Sequence, residues 1–194
     1  METHSSNNIS WTERQLFGGA ITCDIPSNWR DVSDLRQVPD HQEVYQDVSS
    51  SQDRCVIIEI LDHGNEIEGD LASFFFEDLC ESNSSSESDF SLFDEDLIYN
   101  PPPDSTISSG IGIQKVSQGP DTDHAGNPRE LNFEFVNIEL CVVRLHRVHA
   151  DLLITLSSKL SDRSEAQSGF SDEFRRIIGS FTIRNFALFG EEEE

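Results

Sequence analysis

Hydrophobic positions along this chain alternate at first with the two-residue period of strands, and the breaks in that pattern mark the elements. Leu16-Phe17, Gly18-Gly19 and Ala20-Ile21 read as a strand, a tight turn and a second strand. Adjacent glycines supply the positive φ that short hairpin turns need. Pro26 ends the second strand, and Ser27-Asn28-Trp29 turns the chain. Asp31 or Ser33 then caps one helical turn over Val32 to Leu35, which Pro39-Asp40 breaks. Glu43-Val44-Tyr45 predicts a short strand near a sheet edge, because proline and charge flank it. Cys55 to Leu61 is apolar on both parities, the signature of a central strand. Glu59 interrupts it, and a carboxylate there must be paired or point out at a rim.

The period then changes. Ile67, Leu71, Phe74, Phe75 and Leu79 recur at helical spacing and predict an amphipathic helix over about 66–81. Ser82 to Ser91 has too little apolar content to pack, and the segment from about 82 to 104 is expected to be a disordered acidic, Ser-rich insertion. Beta character returns at Ile107 to Val116, with a kink expected at Gly110 or Gly112. Asp121 to Arg129 reads as a turn-rich loop. Leu131 to Val148 reads as a long strand entering the core, and Leu152 to Leu156 as its hairpin partner. Ser171 caps a last helix with Phe174, Ile177, Ile178 and Phe181 on one face, and Phe186 to Gly190 forms an apolar clasp. Strands, a helix, strands and a helix make an α+β fold, a largely antiparallel sheet sandwiched by helices. The 194 residues divide into a flexible 1–12, a single domain over 13–190 and an acidic tail at 191–194.

Charge narrows the function. Thirteen Lys and Arg against 37 Asp and Glu give a net charge of −24. Such a field repels nucleic acid and anionic membranes and favours a basic partner. Acids coincide with strand periodicity over Asp31 to Asp62, which holds eight acids and two arginines, while Asp62 to Asp104 holds thirteen acids and no Lys or Arg. Cys23, Cys55, Cys80 and Cys141 form no CxxC pair, so neither a zinc site nor a disulfide scaffold is expected. No apolar run is long enough to span a bilayer or to act as a signal peptide. A reduced, soluble, intracellular monomer is expected.

Catalytic and cofactor patterns are missing from the sequence. His146 and His149 lie three apart in a predicted strand, so they face opposite sides and cannot share an ion. Gly110-Ile-Gly112 lacks the third glycine of a dinucleotide fingerprint, and no phosphate loop occurs. Gly169 to Asp172 lacks the second glycine of a nucleophile elbow. Ser-x-x-acid spacings at Ser84, Ser86 and Ser91 fit a solvated linker better than a phosphorylation tract. Glu59 and Asp62 carry more interest. A turn beginning at Leu61 would bring both out at one rim as a contact site. The alternative is that Glu59 pairs with an arginine such as Arg36 or Arg144.

LFGGAI, Ile25-Pro26, DVSDLRQVPD (Asp31 to Asp40), QEVY (Gln42 to Tyr45) and VIIEILD together resemble the Mog family of Ran guanine nucleotide release factors. The resemblance continues in FFFEDL, in Val142 to Ser157 and in NFALFG. It implies a fold shared with the PsbP subunit of photosystem II. It also implies binding to the small GTPase Ran, stimulation of nucleotide release without bond chemistry or a cofactor, and a part in nuclear transport, in nucleus and cytoplasm. The family's two contact acids match Glu59 and Asp62, with Glu and Asp exchanged. Asp34, Arg36, Asp40, Glu43 and Asp47 fall in the stretch matching its interaction region. A PsbP-like acidic scaffold that docks another basic protein without release activity is the competing expectation.

Overall fold

The protein is described by a computed structural model covering residues 9–62, 67, 69–117 and 132–190. Strands β1 (Trp11–Leu16) and β2 (Ile21–Pro26) form the expected hairpin, with Leu16 opposite Ile21. The turn runs through Phe17, Gly18 and Gly19 at φ of 48°, 65° and 89°. The glycines accept this conformation freely, whereas Phe17 is held in it. β3 (Arg30–Asp31) leads into a 3-10 turn over Val32–Asp34. Asp31 caps that turn, accepting the Ser33 N–H at 2.8 Å. β4 (Gln42–Gln46) and β5 (Cys55–Asp62) follow, then α1 (Leu71–Ser82) and β6 (Glu87–Leu92). β7 (Ser105–Ser117), β8 (Phe133–Leu145), β9 (Ala150–Leu160), α2 (Asp172–Ser180) and β10 (Thr182–Ile183) complete the order.

Seven strands form one antiparallel sheet in the order β3-β4-β5-β9-β8-β7-β6, and β1-β2-β10 form a small second sheet. Each face of the large sheet has its own core. On one, Leu71, Ala72, Phe75 and Phe76 of α1 cover Ile138, Leu140, Val142 and Leu153. On the other, Phe174, Ile177 and Ile178 of α2 and the β1–β2 hairpin cover Ile58, Cys141, Val143 and Ile154. β8 therefore needs apolar side chains on both parities, which explains its continuous run from Leu140. The architecture is the α+β sandwich read from the sequence.

Four local expectations are corrected. α1 begins at Leu71, not near 66, because Asp70 caps it and accepts the Ser73 N–H at 3.0 Å. Its buried stripe runs through Phe75 and Phe76, leaving Phe74 exposed. The segment expected to be disordered over 82–104 instead forms β6, paired with β7 from Glu87 to Leu92, and then buries Leu97 and Ile98. One aromatic ring holds that edge strand down: Phe90 stacks on Phe76 at 4.5 Å between ring centres. Gly110 and Gly112 do not kink β7, which pairs with β8 along its full length. They make room for the rings. A Cβ on Gly112 would lie 2.2 Å from Phe76, and one on Gly110 2.4 Å from Phe90. The loop expected at Asp121–Arg129, the tail at 191–194 and residues 1–8 of the expected flexible N-terminus lie outside the described residues, whereas Trp11 and Thr12, expected to be flexible, are held in β1 by pairing with Pro26 and Ile25.

Candidate functional site

Register places the site. Gln42 of β4 faces Glu59 of β5, and the Ile60 N–H donates to the His41 carbonyl at 2.9 Å. The Gln42 N–H closes a turn onto the Pro39 carbonyl at 2.9 Å. Asp40 and His41 therefore run alongside the last residues of β5, and the start of β4 and the end of β5 form one rim. Asp34, Arg36, Asp40 and Asp62 are all exposed there or on the loop leading to it. Exposed carboxylates keep their hydration and their charge, and need no internal cation.

Glu59 behaves differently. Its side chain is only 18% exposed and lies 3.3 Å from His41 Nε2. Gln42 Nε2 donates to the same carboxylate at 2.7 Å. Neither arginine named for it is its partner, since Arg144 forms a buried two-point ion pair with Asp151 at 2.8 and 2.7 Å. Nor does the chain turn at Leu61. β5 stays paired through Asp62 opposite Ala150, so strand parity sends Glu59 and Asp62 to opposite faces. Glu59 shares its face with Leu61 and the α1 core, and Asp62 shares parity with Val56 and Ile58.

Glu43 and Asp47, also expected at the site, are turned inward with Tyr45 on the α2 face and do structural work. Glu43 accepts the Phe17 N–H at 2.6 Å, which ties the strained hairpin turn to β4. Burial, with a smaller push from Asp31, raises its carboxyl above the usual range despite that bond. Asp47 is 2% exposed and joins Arg54 at 2.7 Å, and Arg54 continues to Glu173 of α2 at 2.7 Å. Burial alone would raise Asp47, but hydrogen bonds from Ser49 and Arg54 outweigh it and hold the carboxyl low. His41 and Gln42, which sequence reasoning missed, brace Glu59. The signal was available in the register of Gln42 opposite Glu59.

Other chemistry is not assembled. Burial pushes the Cys23 and Cys141 thiols up to about 12, so both stay protonated. His146 Nε2 meets the Thr106 hydroxyl at 2.8 Å, while His149 sits in the β8–β9 turn at φ 46°. Among the described residues, no group of three His, Cys, Asp or Glu is placed to hold a metal, and no helix is long and apolar enough to cross a membrane.

A family model described as "Ran-interacting Mog1 protein" matches residues 14–159, which include Asp34, Asp40, Glu43, Asp47, Glu59 and Asp62. The chain belongs to the Mog1 family. A zebrafish (Danio rerio) Ran guanine nucleotide release factor is 31% identical over 190 residues, covering 91% of this chain and 99% of that relative. A probable Ran guanine nucleotide release factor of Dictyostelium discoideum is 30% identical over 200 residues, covering 93% and 97%. The crystal structure of the Saccharomyces cerevisiae Ran-binding protein Mog1p superimposes with a TM-score of 0.66 at 22% identity, over 94% of this chain and all of that one. That likeness extends the shared fold beyond the residues the family model matches.

Proposed function

We propose that this Mog1 family member docks the small GTPase Ran through the acidic rim and promotes release of its guanine nucleotide. The observation that carries the reading is the rim itself: Asp40 and Asp62, and Asp34 on the loop leading to it, are each exposed on elements that the family match covers. The names of the zebrafish and Dictyostelium relatives support Ran as the partner and release as the outcome. No bond need be made or broken. A protein that binds the empty GTPase more tightly than the loaded one makes nucleotide leave by linkage. Carboxylates suit that task, because a GTPase holds nucleotide with lysine and Mg²⁺, and an acidic rim competes for the same positive groups. The net charge of −24 speeds encounter with a basic surface at low salt. The setting proposed for this activity is nucleocytoplasmic transport, with the protein in nucleus and cytoplasm.

Affinity for Ran in its nucleotide-free and loaded states tests the proposal. At least a tenfold preference for the empty state is expected. Equal affinity for both states shifts no equilibrium and would reduce the rim to a docking module without release activity.

A further inference from the structure

Besides Arg144, which is paired with Asp151, β8 carries two buried polar side chains among apolar neighbours. Asn137 and Glu139 are 1% and 2% exposed and alternate along the strand, so they share the α2 face with Cys141 and Val143. Asn137 has no partner: both Nδ2 and Oδ1 are buried without a hydrogen bond. Native interiors seldom leave an amide in that condition, because each unmet group forfeits its hydration for nothing. Glu139 Oε2 accepts the Ser171 N–H at 2.6 Å, where α2 begins. Neither residue adds to packing in the way an apolar side chain would.

Both residues border open space. Glu139 lies on the wall of a cavity of about 660 Å³ between the sheet and residues 161–171. Asn137 lines a smaller cavity of about 90 Å³ beneath β6 and β7, and Gln167 borders both. Charged groups set the sign of what fits. Glu139, Glu165 and Glu173 face the large cavity against Arg54 and Lys159. Both cations are already held, Arg54 by Asp47 and Glu173, and Lys159 by Glu134. The remaining charge is negative, and Asn137 offers one unmet donor group and one unmet acceptor.

We propose that these neighbouring cavities bind a basic residue of a partner's extended peptide, its ammonium or guanidinium on Glu139 and one peptide group on Asn137. An ammonium supplies the counter-charge the buried carboxylate lacks. A peptide group supplies the matched acceptor and donor that the Asn137 amide needs. The site is distinct from the rim. Arg54 immediately precedes β5, whose eight residues run to Asp62, and a strand of that length separates the two sites by ~25 Å.

Titration calorimetry with acetyl-Gly-Lys-Gly-amide, against the same peptide carrying norleucine, tests the site on the full chain. Burial pushes the Glu139 carboxyl up to about 7 against the Ser171 bonds, with Glu173 raising it slightly and Arg175 lowering it. The lysine peptide should therefore bind at pH 8, release a proton near neutrality and weaken roughly thirtyfold at pH 5.5. Glu139→Gln should weaken binding at pH 8 at least tenfold and remove the pH dependence. Asn137→Leu should also weaken binding yet raise the melting temperature, because it removes unmet polar groups, whereas a purely structural asparagine would lower it. An Asp40→Lys/Asp62→Lys variant should bind the peptide as the unaltered chain does. Equal binding of the lysine and norleucine peptides, or no binding heat up to millimolar concentration, overturns the proposal and leaves the cavities to water.

Discussion

Glu43 and Asp47 belong to the same acidic stretch as Asp34, Asp40 and Asp62, yet the fold uses the two sets in opposite ways. The first pair lies on the parity of Tyr45, turned toward the α2 face, and each carboxylate is occupied: Glu43 by the Phe17 N–H, Asp47 by Ser49 and Arg54. The second set stands on a loop and at a strand end, exposed to solvent. Residue type is the same in both. Strand parity and register decide which acids build the protein and which are free to meet another one. Glu59 falls between, braced by Gln42 and His41 and less than a fifth exposed.

Substitutions break the comparison in order of size. Asp47→Ala leaves the largely buried Arg54 with only Glu173, and should cost about 3 kcal/mol in urea denaturation, since removing one member of a buried pair strands the other charge. Glu43→Ala removes the tether on Phe17 and should cost about 1 kcal/mol. Glu43→Gln, which still accepts that N–H, should cost less. Gln42→Leu removes the 2.7 Å brace on Glu59 and should cost roughly 0.5–1 kcal/mol. Asp40→Lys and Asp62→Lys should each change stability by less than about 0.5 kcal/mol, as exposed positions do.

pH separates the inward acids from each other. Asp47 is held low, so its folded form gives up the proton more readily than its unfolded form. Its stabilising effect is complete above the unfolded value and drains away as pH falls through the folded one. Glu43 is raised by burial, so its folded form binds the proton more tightly. Its effect has the opposite sign: stability rises as pH falls through the folded value toward the unfolded one. Denaturation midpoints of Asp47→Asn and Glu43→Gln, followed from pH 7 to about pH 2.5, past the ordinary aspartate value of 3.8, should therefore remove slopes of opposite direction, that of Glu43 above about pH 4 and that of Asp47 below it. Parallel changes would mean that the two carboxylates are not distinguished as described.

How much of this was legible in the residues depends on where the signal lay. The hairpin at Gly18-Gly19, the central strand β5 and the Ser171-capped α2 were all readable, because turn chemistry, double-parity hydrophobicity and capping are local. β6 was not, since its composition is that of a solvated linker. What fixes it is one ring, Phe90 on Phe76, above two glycines on a different strand. The spacing of Gly110 and Gly112, two apart and so on one face, was the available clue. In the site, acid density was legible but its division was not. Glu43 and Asp47 alternate with Val44 and sit beside Tyr45, yet which parity turns toward α2 depends on how α2 and the hairpin pack.

Release of a fluorescent guanine nucleotide from Ran bears most directly on the rim. The Asp40→Lys/Asp62→Lys protein, folded and as stable as the unaltered chain, should stimulate release at least tenfold less. Glu43→Gln should stimulate it as the unaltered chain does. Undiminished release by the rim variant, or an equal loss from Glu43→Gln, would contradict the assignment of the exposed acids to the partner and the buried ones to the fold.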